Sequence, residues 1–257
     1  MGTLAENYHR LSPGYSPNII DACIEHAGFK PGSRLLEIAS RTGIATKLFV
    51  QRGLAVTAVE PDPDMMAIAR DELSSHEGRI RFVNNSFEGA IASDELQADA
   101  DYDGVYVSNA WRWLQPPGQT AERVHSLLRP SGSLALLNNA QIISNPASDA
   151  FLGDLMDTLS HYDPSLEGVT LSTRASVDPM SLDEALFEPV FFGAEPQTTT
   201  LTYDLYKDMA RSPTGHGGLP SRADDAFLGR AQELFMEYGG SIIIPTVDTV
   251  QIARRVE

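Results

Sequence analysis

The chain has 257 residues, and 42% of them are hydrophobic, enough to bury a core in one elaborated domain or two small ones. Its 19 Lys and Arg stand against 35 Asp and Glu, and the net charge of −16 argues against nucleic acid or an anionic membrane as partner, because both repel it at long range. The single cysteine, Cys23, excludes an intrachain disulfide, and neither Cys nor His recurs at metal-ligand spacing, so the expectation is a reducing, cytoplasmic setting and no bound metal.

The start lacks a basic segment followed by an apolar stretch, and no apolar run approaches the roughly 20 residues of a spanning helix, which predicts a chain without targeting or membrane insertion. The first helix is predicted after Ser16-Pro17, an N-cap followed by a first-turn proline, with Ile19, Ile20, Cys23, Ile24 and Ala27 on one face and Gly28 as its stop. Arg34 to Ile38 reads as a strand, Ile44 to Arg52 as a helix closed by Gly53, Ala55 to Val59 as a second strand, and Met65 to Leu73 as a helix. A third strand is predicted over Ile80 to Val83, a fourth over Tyr102 to Val107, a helix over Gln119 to Leu128, and a fifth strand over Ser133 to Leu137. Asn138 to Pro189 has less periodicity and reads as mixed helix and loop, with 139–189 as a cap inserted into a single domain spanning 1–257. Ala226 to Tyr238 is a helix ended by Gly239-Gly240, and Ile242 to Ile244 and Val247 to Ala253 read as two terminal strands.

Alternation of short strands with amphipathic helices defines an α/β fold with a mostly parallel sheet. In such sheets a ligand binds beyond the carboxyl ends of the strands, beside the first of them. There the chain reads Glu37-Ile38-Ala39-Ser40-Arg41-Thr42-Gly43, a small-residue turn, and Glu60 ends the second strand where an acid accepts hydrogen bonds from ribose hydroxyls. A nicotinamide-binding turn would need three glycines spaced G-x-G-x-x-G, and this one has only Gly43.

The stretch LEIASRTGIATKLFVQRGLAVTAVEPDPDMMAIAR, Leu36 to Arg70, resembles the cofactor segment of class I S-adenosylmethionine-dependent methyltransferases. The likeness continues through Asn85-Ser86-Phe87-Glu88, Tyr102-Asp103-Gly104-Val105 and Leu128 to Ala135, and the segments Tyr8 to Pro17 and Pro245 to Arg255 resemble the small-molecule branch of that family. The resemblance implies a Rossmann-like fold with a seven-stranded sheet. It also implies S-adenosylmethionine as cofactor, with Glu37 and the Ala39 to Gly43 backbone facing its methionine part and Glu60 its ribose. Asp62, Met65, Ser86 and Phe87 would face the adenine, and Asn109 the reacting sulfonium. Each has a plainer alternative: Glu37 as a loop anchor, Met65 and Phe87 as core, Ser86 as a helix cap. Tyr8, Tyr15, Trp111 and Trp113 are the candidate substrate contacts.

Two departures from the family pattern stand out. The family turn commonly reads acid-x-Gly-x-Gly-x-Gly, and here the glycine positions hold Ala39, Arg41 and Gly43. Where this branch often has an aromatic followed by His-Trp, the chain has Trp111-Arg112-Trp113, and an arginine cannot act as general base. Arg41 and Arg112, as candidate catalytic residues, would leave neighbouring strands and recognise an anionic group together; the plainer alternatives are that Arg41 turns outward to solvent and that Arg112 stacks between the flanking tryptophans as surface packing. His9, His161 and His216 remain as further acid or base candidates.

The function implied is methyl transfer to a small anionic metabolite in secondary metabolism. A methyltransferase-like cyclase or lyase expelling sulfate or phosphate past Arg41 and Arg112, with the cofactor no longer used for transfer, is the alternative. A non-catalytic subunit of a partner enzyme is another. A small-molecule substrate is the expected partner, and a homodimer or partner protein stays open.

Overall fold

The computed structural model describes residues 4–96, 101–114, 116–142, 145–163, 178–211, 222 and 224–257. The chain forms helices α1 (Leu4–Leu11) and α2 (Pro17–Ala27), strand β1 (Arg34–Ile38), α3 (Ile44–Val50), β2 (Ala55–Val59), α4 (Pro63–Glu72), β3 (Ile80–Val83) and α5 (Phe87–Ala92). After these come β4 (Tyr102–Ser108), α6 (Pro117–Leu127), β5 (Leu128–Ile142), α7 (Pro146–Tyr162), β6 (Phe187–Thr202), α8 (Tyr203–Ala210), α9 (Asp225–Glu237) and β7 (Ser241–Arg255). The seven strands lie in the order β3-β2-β1-β4-β5-β7-β6, and β1 pairs parallel with β2 and β4, β2 with β3, and β4 with β5. Sequence neighbours β1 and β2 sit side by side, but the next strand inserted on the other flank of β1 is β4, so the order reverses at β1. That reversal opens the crevice at strand carboxyl ends in which doubly wound folds bind ligands.

Two compact units are present. The first comprises Gly14–Asn139, Asp178–Glu195 and Asp248–Glu257; the second comprises Met1–Pro13, Ala140–Val177 and Pro196–Val247. In the first unit the alternation of side chains along the strands separates two apolar layers. Leu35, Val56, Ala58, Tyr106, Ala135 and Leu137 pack with Ile20, Cys23 and Phe49 of α2 and α3, while Leu36, Ile38, Val59, Val105, Val107 and Leu136 pack with Phe87, Val124 and Leu127. Full burial of both faces is why these strands read as nearly continuous apolar runs. The second unit has its own core of Phe151, Leu155, Tyr206, Phe227 and Phe235, in which the rings of Phe151 and Phe235 meet edge-on with centroids 4.8 Å apart.

The local signals behave as their chemistry requires. Ser16 caps α2 by accepting from Asn18 N, Pro17 occupies its first turn, and Gly28 leaves it at φ 75°. Four elements differ from expectation. The helix expected first, after Ser16-Pro17, is the second, because α1 (Leu4–Leu11) precedes it. The final two predicted strands are one, β7, because Pro245 has a φ compatible with extended backbone and removes only one ladder donor. The seventh strand is instead β6, whose Pro189, Gly193 and Pro196 read as breakers in sequence. The turn Arg129 to Gly132 is absorbed into β5 as an irregularity between the pairs Tyr102↔Leu128 and Gly104↔Ser133, with Ser131 at φ 62°. The segment expected as a cap divides between the units, Ala140–Val177 in the second and Asp178–Glu195 in the first.

Candidate functional site

The site is built where β1, β2 and β4 end together, at the register pairs Ile38↔Val59 and Ile38↔Val107. Beyond Ile38 the backbone enters the left-handed region at every second residue: Ala39 at φ 60°, Arg41 at φ 53° and Gly43 at φ 78°. These are the three positions where the resembling family has glycine. The fold keeps the glycine backbone although two of the glycines are gone, at a cost of about 1–2 kcal/mol for each substituted position. Gly43 itself cannot be replaced freely, since a Cβ there would meet Leu73 Cδ1 at 2.8 Å.

The strained turn is held by hydrogen bonds from the neighbouring strand end. Ser40 N donates to Val59 O at 3.0 Å, and Arg41 N donates to Glu60 Oε2 at 2.9 Å. The other carboxylate oxygen, Oε1, accepts from Asp62 N at 2.9 Å. Glu60 is only 4% exposed, and burial raises its pKa; the two backbone donors and the facing Arg41 charge pull the other way without cancelling it. Arg41 thus has its charge directed in part to Glu60.

Glu37, one residue before the end of β1, is 1% exposed and lies in the apolar layer with Tyr106 and Phe49. Its Oε2 accepts from Thr46 Oγ1 and from Tyr106 OH, the latter at 2.8 Å, and its Oε1 has no hydrogen-bond partner. Burial pushes this carboxyl up to about 8, against the opposing pull of those two hydroxyl donors. Ser40 Oγ, Thr42 Oγ1 and Ser108 Oγ are likewise buried without hydrogen-bond partners. Four such atoms at one set of strand ends are a concentration that folded proteins ordinarily avoid and that a polar ligand would relieve.

The remaining predicted residues fall into distinct places. Asp62 caps α4, its Oδ1 accepting from Asp64 N at 2.8 Å and Met65 N at 3.2 Å. Ser86 caps α5 by accepting from Gly89 N at 3.0 Å, and Met65 and Phe87 are buried. Asn109 follows β4 at φ 54°, and its amide is committed to Asn139: Asn109 Nδ2 donates to Asn139 Oδ1, and Asn139 N donates back to Asn109 Oδ1 at 3.1 Å. Asn139 Nδ2 in turn donates to Gly14 O at 2.9 Å, tying the segment before α2 to the end of β5.

A single 3-10 turn, Trp111–Trp113, carries Arg112 exposed, with Trp111 half-buried and Trp113 72% exposed. Tyr15 is buried in the core layer under α2, whereas Tyr8 and His9 are half-buried on α1 and His161 is exposed on α7, all three in the second unit. His216 lies outside the described residues. Sequence reasoning did not single out Thr46, Tyr106, Ser108 or Asn139. Tyr106 was legible in principle, because strand alternation puts it on the same face as Leu35 and its register partner is Glu37. The asparagine pair joins residues 30 apart and had no local signal.

The class of protein follows from a sheet reversing at β1, a left-handed turn after β1 and an acid ending β2. Residues 36–134 match the family described as "Methyltransferase domain", and over that stretch the chain is similar to class I S-adenosylmethionine-dependent methyltransferases. A relative from Mycobacterium bovis described as an uncharacterized methyltransferase is 33% identical over 140 residues, 54% of this chain and 52% of that protein. The chain thus spans about half the length of the curated mycobacterial relatives it matches. The ubiquinone/menaquinone biosynthesis C-methyltransferase of Hydrogenovibrio crunogenus is 26% identical over 183 residues, 67% of this chain and 70% of that protein. Among solved structures, a type II methyltransferase candidate from Anaeromyxobacter dehalogenans superposes with a TM-score of 0.59 at 17% identity, covering 95% of this chain and 97% of that one, a likeness of fold.

The residues present fit that family's cofactor. A cationic amino-acid end would meet the unpartnered Oε1 of Glu37, and hydroxyls could donate to Glu60, whose oxygens each keep a second lone pair after accepting one backbone N–H. Among the described residues no group of three or more His, Cys, Asp or Glu is placed to hold a metal ion, and no helix is long and apolar enough to cross a membrane.

Proposed function

We propose that this protein transfers a methyl group from S-adenosylmethionine to a small anionic metabolite. One observation carries the reading: the loop after β1 keeps left-handed backbone at residues 39, 41 and 43 although two of the three are not glycine. Strain of that kind persists where surrounding structure enforces it, and close approach of backbone to a ligand is the use this turn serves in the family. When bound, the cofactor would supply an electrophilic methyl on a sulfonium, the acceptor taking the methyl in line as S-adenosylhomocysteine leaves. The chain's own task is then alignment, and a protein base is not obligatory.

In this reading Glu60 holds the turn through Arg41 N and keeps lone pairs for ribose hydroxyls, Glu37 receives the amino group, and buried Met65 and Phe87 border the adenine. Asn109 acts by fixing the end of β4 through Asn139 and so the direction in which the Trp111–Trp113 turn leaves. Arg112, exposed on that turn, supplies the charge that selects an anionic acceptor. Calorimetric titration with S-adenosylmethionine and S-adenosylhomocysteine tests the reading. Micromolar binding, followed by label transfer to acidic small molecules that falls in Arg112→Ala, is the expected result. No binding at millimolar ligand would overturn it and favour a site turned to chemistry without methyl transfer.

A further inference from the structure

The Glu37 carboxyl is buried in an apolar layer and divided in its bonding: Oε2 takes two hydroxyl donors, from Thr46 and Tyr106, and Oε1 takes none. A charged carboxylate in such a place would leave half its charge without any compensating donor, an arrangement far costlier than a neutral acid with its hydrogen on the unpartnered oxygen. Resting on the function proposed above, we infer that Glu37 carries a proton on Oε1 in the free protein and gives it up to solvent when the amino group of the cofactor binds there. One O–H bond breaks and one proton leaves per ligand; the ligand ammonium and the new carboxylate then pair, and no covalent bond to the ligand forms.

The groups facing Glu37 favour this arrangement. From β4, Tyr106 donates its hydroxyl and is itself held far above its ordinary pKa by burial, so it stays neutral. From α3 comes only the Thr46 hydroxyl, and from α2 Cys23, buried and kept as a thiol, borders Tyr106. The end of β2 contributes Glu60, whose negative charge works against ionisation of Glu37, and the Arg41 charge is directed at Glu60. None of these supplies a cation to Glu37. Burial accordingly holds its carboxyl near 8, so the protonated form dominates below that pH.

The test is calorimetry of the full chain with S-adenosylhomocysteine at pH 6.5 in phosphate and in imidazole, whose ionisation enthalpies differ. The expected result is release of about one proton per ligand, with apparent affinity rising close to tenfold from pH 6 to pH 7. 5′-Methylthioadenosine keeps the ribose and adenine but lacks the amino acid, so it should bind without proton release; release at Glu60 would instead appear with both ligands. Glu37→Gln should bind S-adenosylhomocysteine with neither release nor pH dependence. Should that variant fail to fold by circular dichroism, the two ligands on the unaltered protein still decide. Binding of S-adenosylhomocysteine without proton release, or equal release with both ligands, would overturn the inference and leave the proposed function standing. Failure of both ligands to bind would overturn both.

Discussion

The loops leaving β1 and β4 start from adjacent, parallel-paired strands, and both begin in left-handed backbone, yet they spend their polar groups differently. After β4, Asn109 at φ 54° is a residue type that tolerates the conformation, and its amide is closed in a reciprocal pair with Asn139, leaving Ser108 Oγ as the one unpartnered buried polar atom beside it among the described residues. After β1, Ala39 and Arg41 have no such tolerance; the turn is held from outside by Glu60, and Glu37, Ser40 and Thr42 beside it retain unpartnered polar atoms. The lesson is that backbone strain alone does not mark a binding site. Strain satisfied by its own side chain is a structural device, while strain held by a neighbour beside unfilled hydrogen-bonding capacity is prepared for something else.

The largest expected effect sharpens the β1 side. Because the pKa of Glu37 is raised on folding, from 4.5 to about 8, the native state binds the extra proton between those values. Its contribution to stability is therefore fully present below about 4.5 and is lost as pH rises to about 8. Glu60, also raised, acts in the same sense. Denaturant unfolding of the ligand-free protein should show stability falling by up to about 4 kcal/mol from pH 5 to pH 8 through Glu37, and Glu37→Gln should flatten that dependence. An equal slope in the variant would remove Glu37 as its cause.

Glu60→Ala comes next. It deprives Arg41 N and Asp62 N of their acceptor, and the expected outcome is a loss of about 2–3 kcal/mol with cofactor affinity weakened about 100-fold. Stability and affinity should fall together, as measured by unfolding and calorimetry. Asn109→Ala is the smaller and the more discriminating change. It should cost about 1–2 kcal/mol by breaking the pair with Asn139, while cofactor affinity moves less than about threefold. A large affinity loss in Asn109→Ala with little loss of stability would break the comparison and return Asn109 to the reacting centre.

Much of the first unit was legible from residue order because its signals are local. Period-two and period-3.6 apolar patterns, Ser16-Pro17 before a helix and Gly28 after it act within a few residues, and β1, β2 and β3 fall at the predicted bounds. Strand β6 was not legible, since Pro189, Gly193 and Pro196 argue locally against a strand that its sheet neighbour stabilises. Within the site, Glu37, Glu60 and the 39–43 turn were legible as positions, from the ends of predicted strands.

The amino-acid sequence by itself determined the α/β alternation, the likeness of its first half to a methyltransferase domain, the acidic character of the chain and the places where polar residues interrupt strand ends. Only the tertiary structure decided what those residues do. Whether Glu37 is a solvated anion or a buried acid with one idle oxygen depends on Tyr106 and Thr46, brought in from another strand and a helix. Whether Asn109 is free to meet a ligand depends on Asn139, and whether Arg41 faces an incoming anion or Glu60 depends on the register of β1 against β2. Hydrogen bonding and desolvation act over a few ångströms in space, a distance that residue order does not specify.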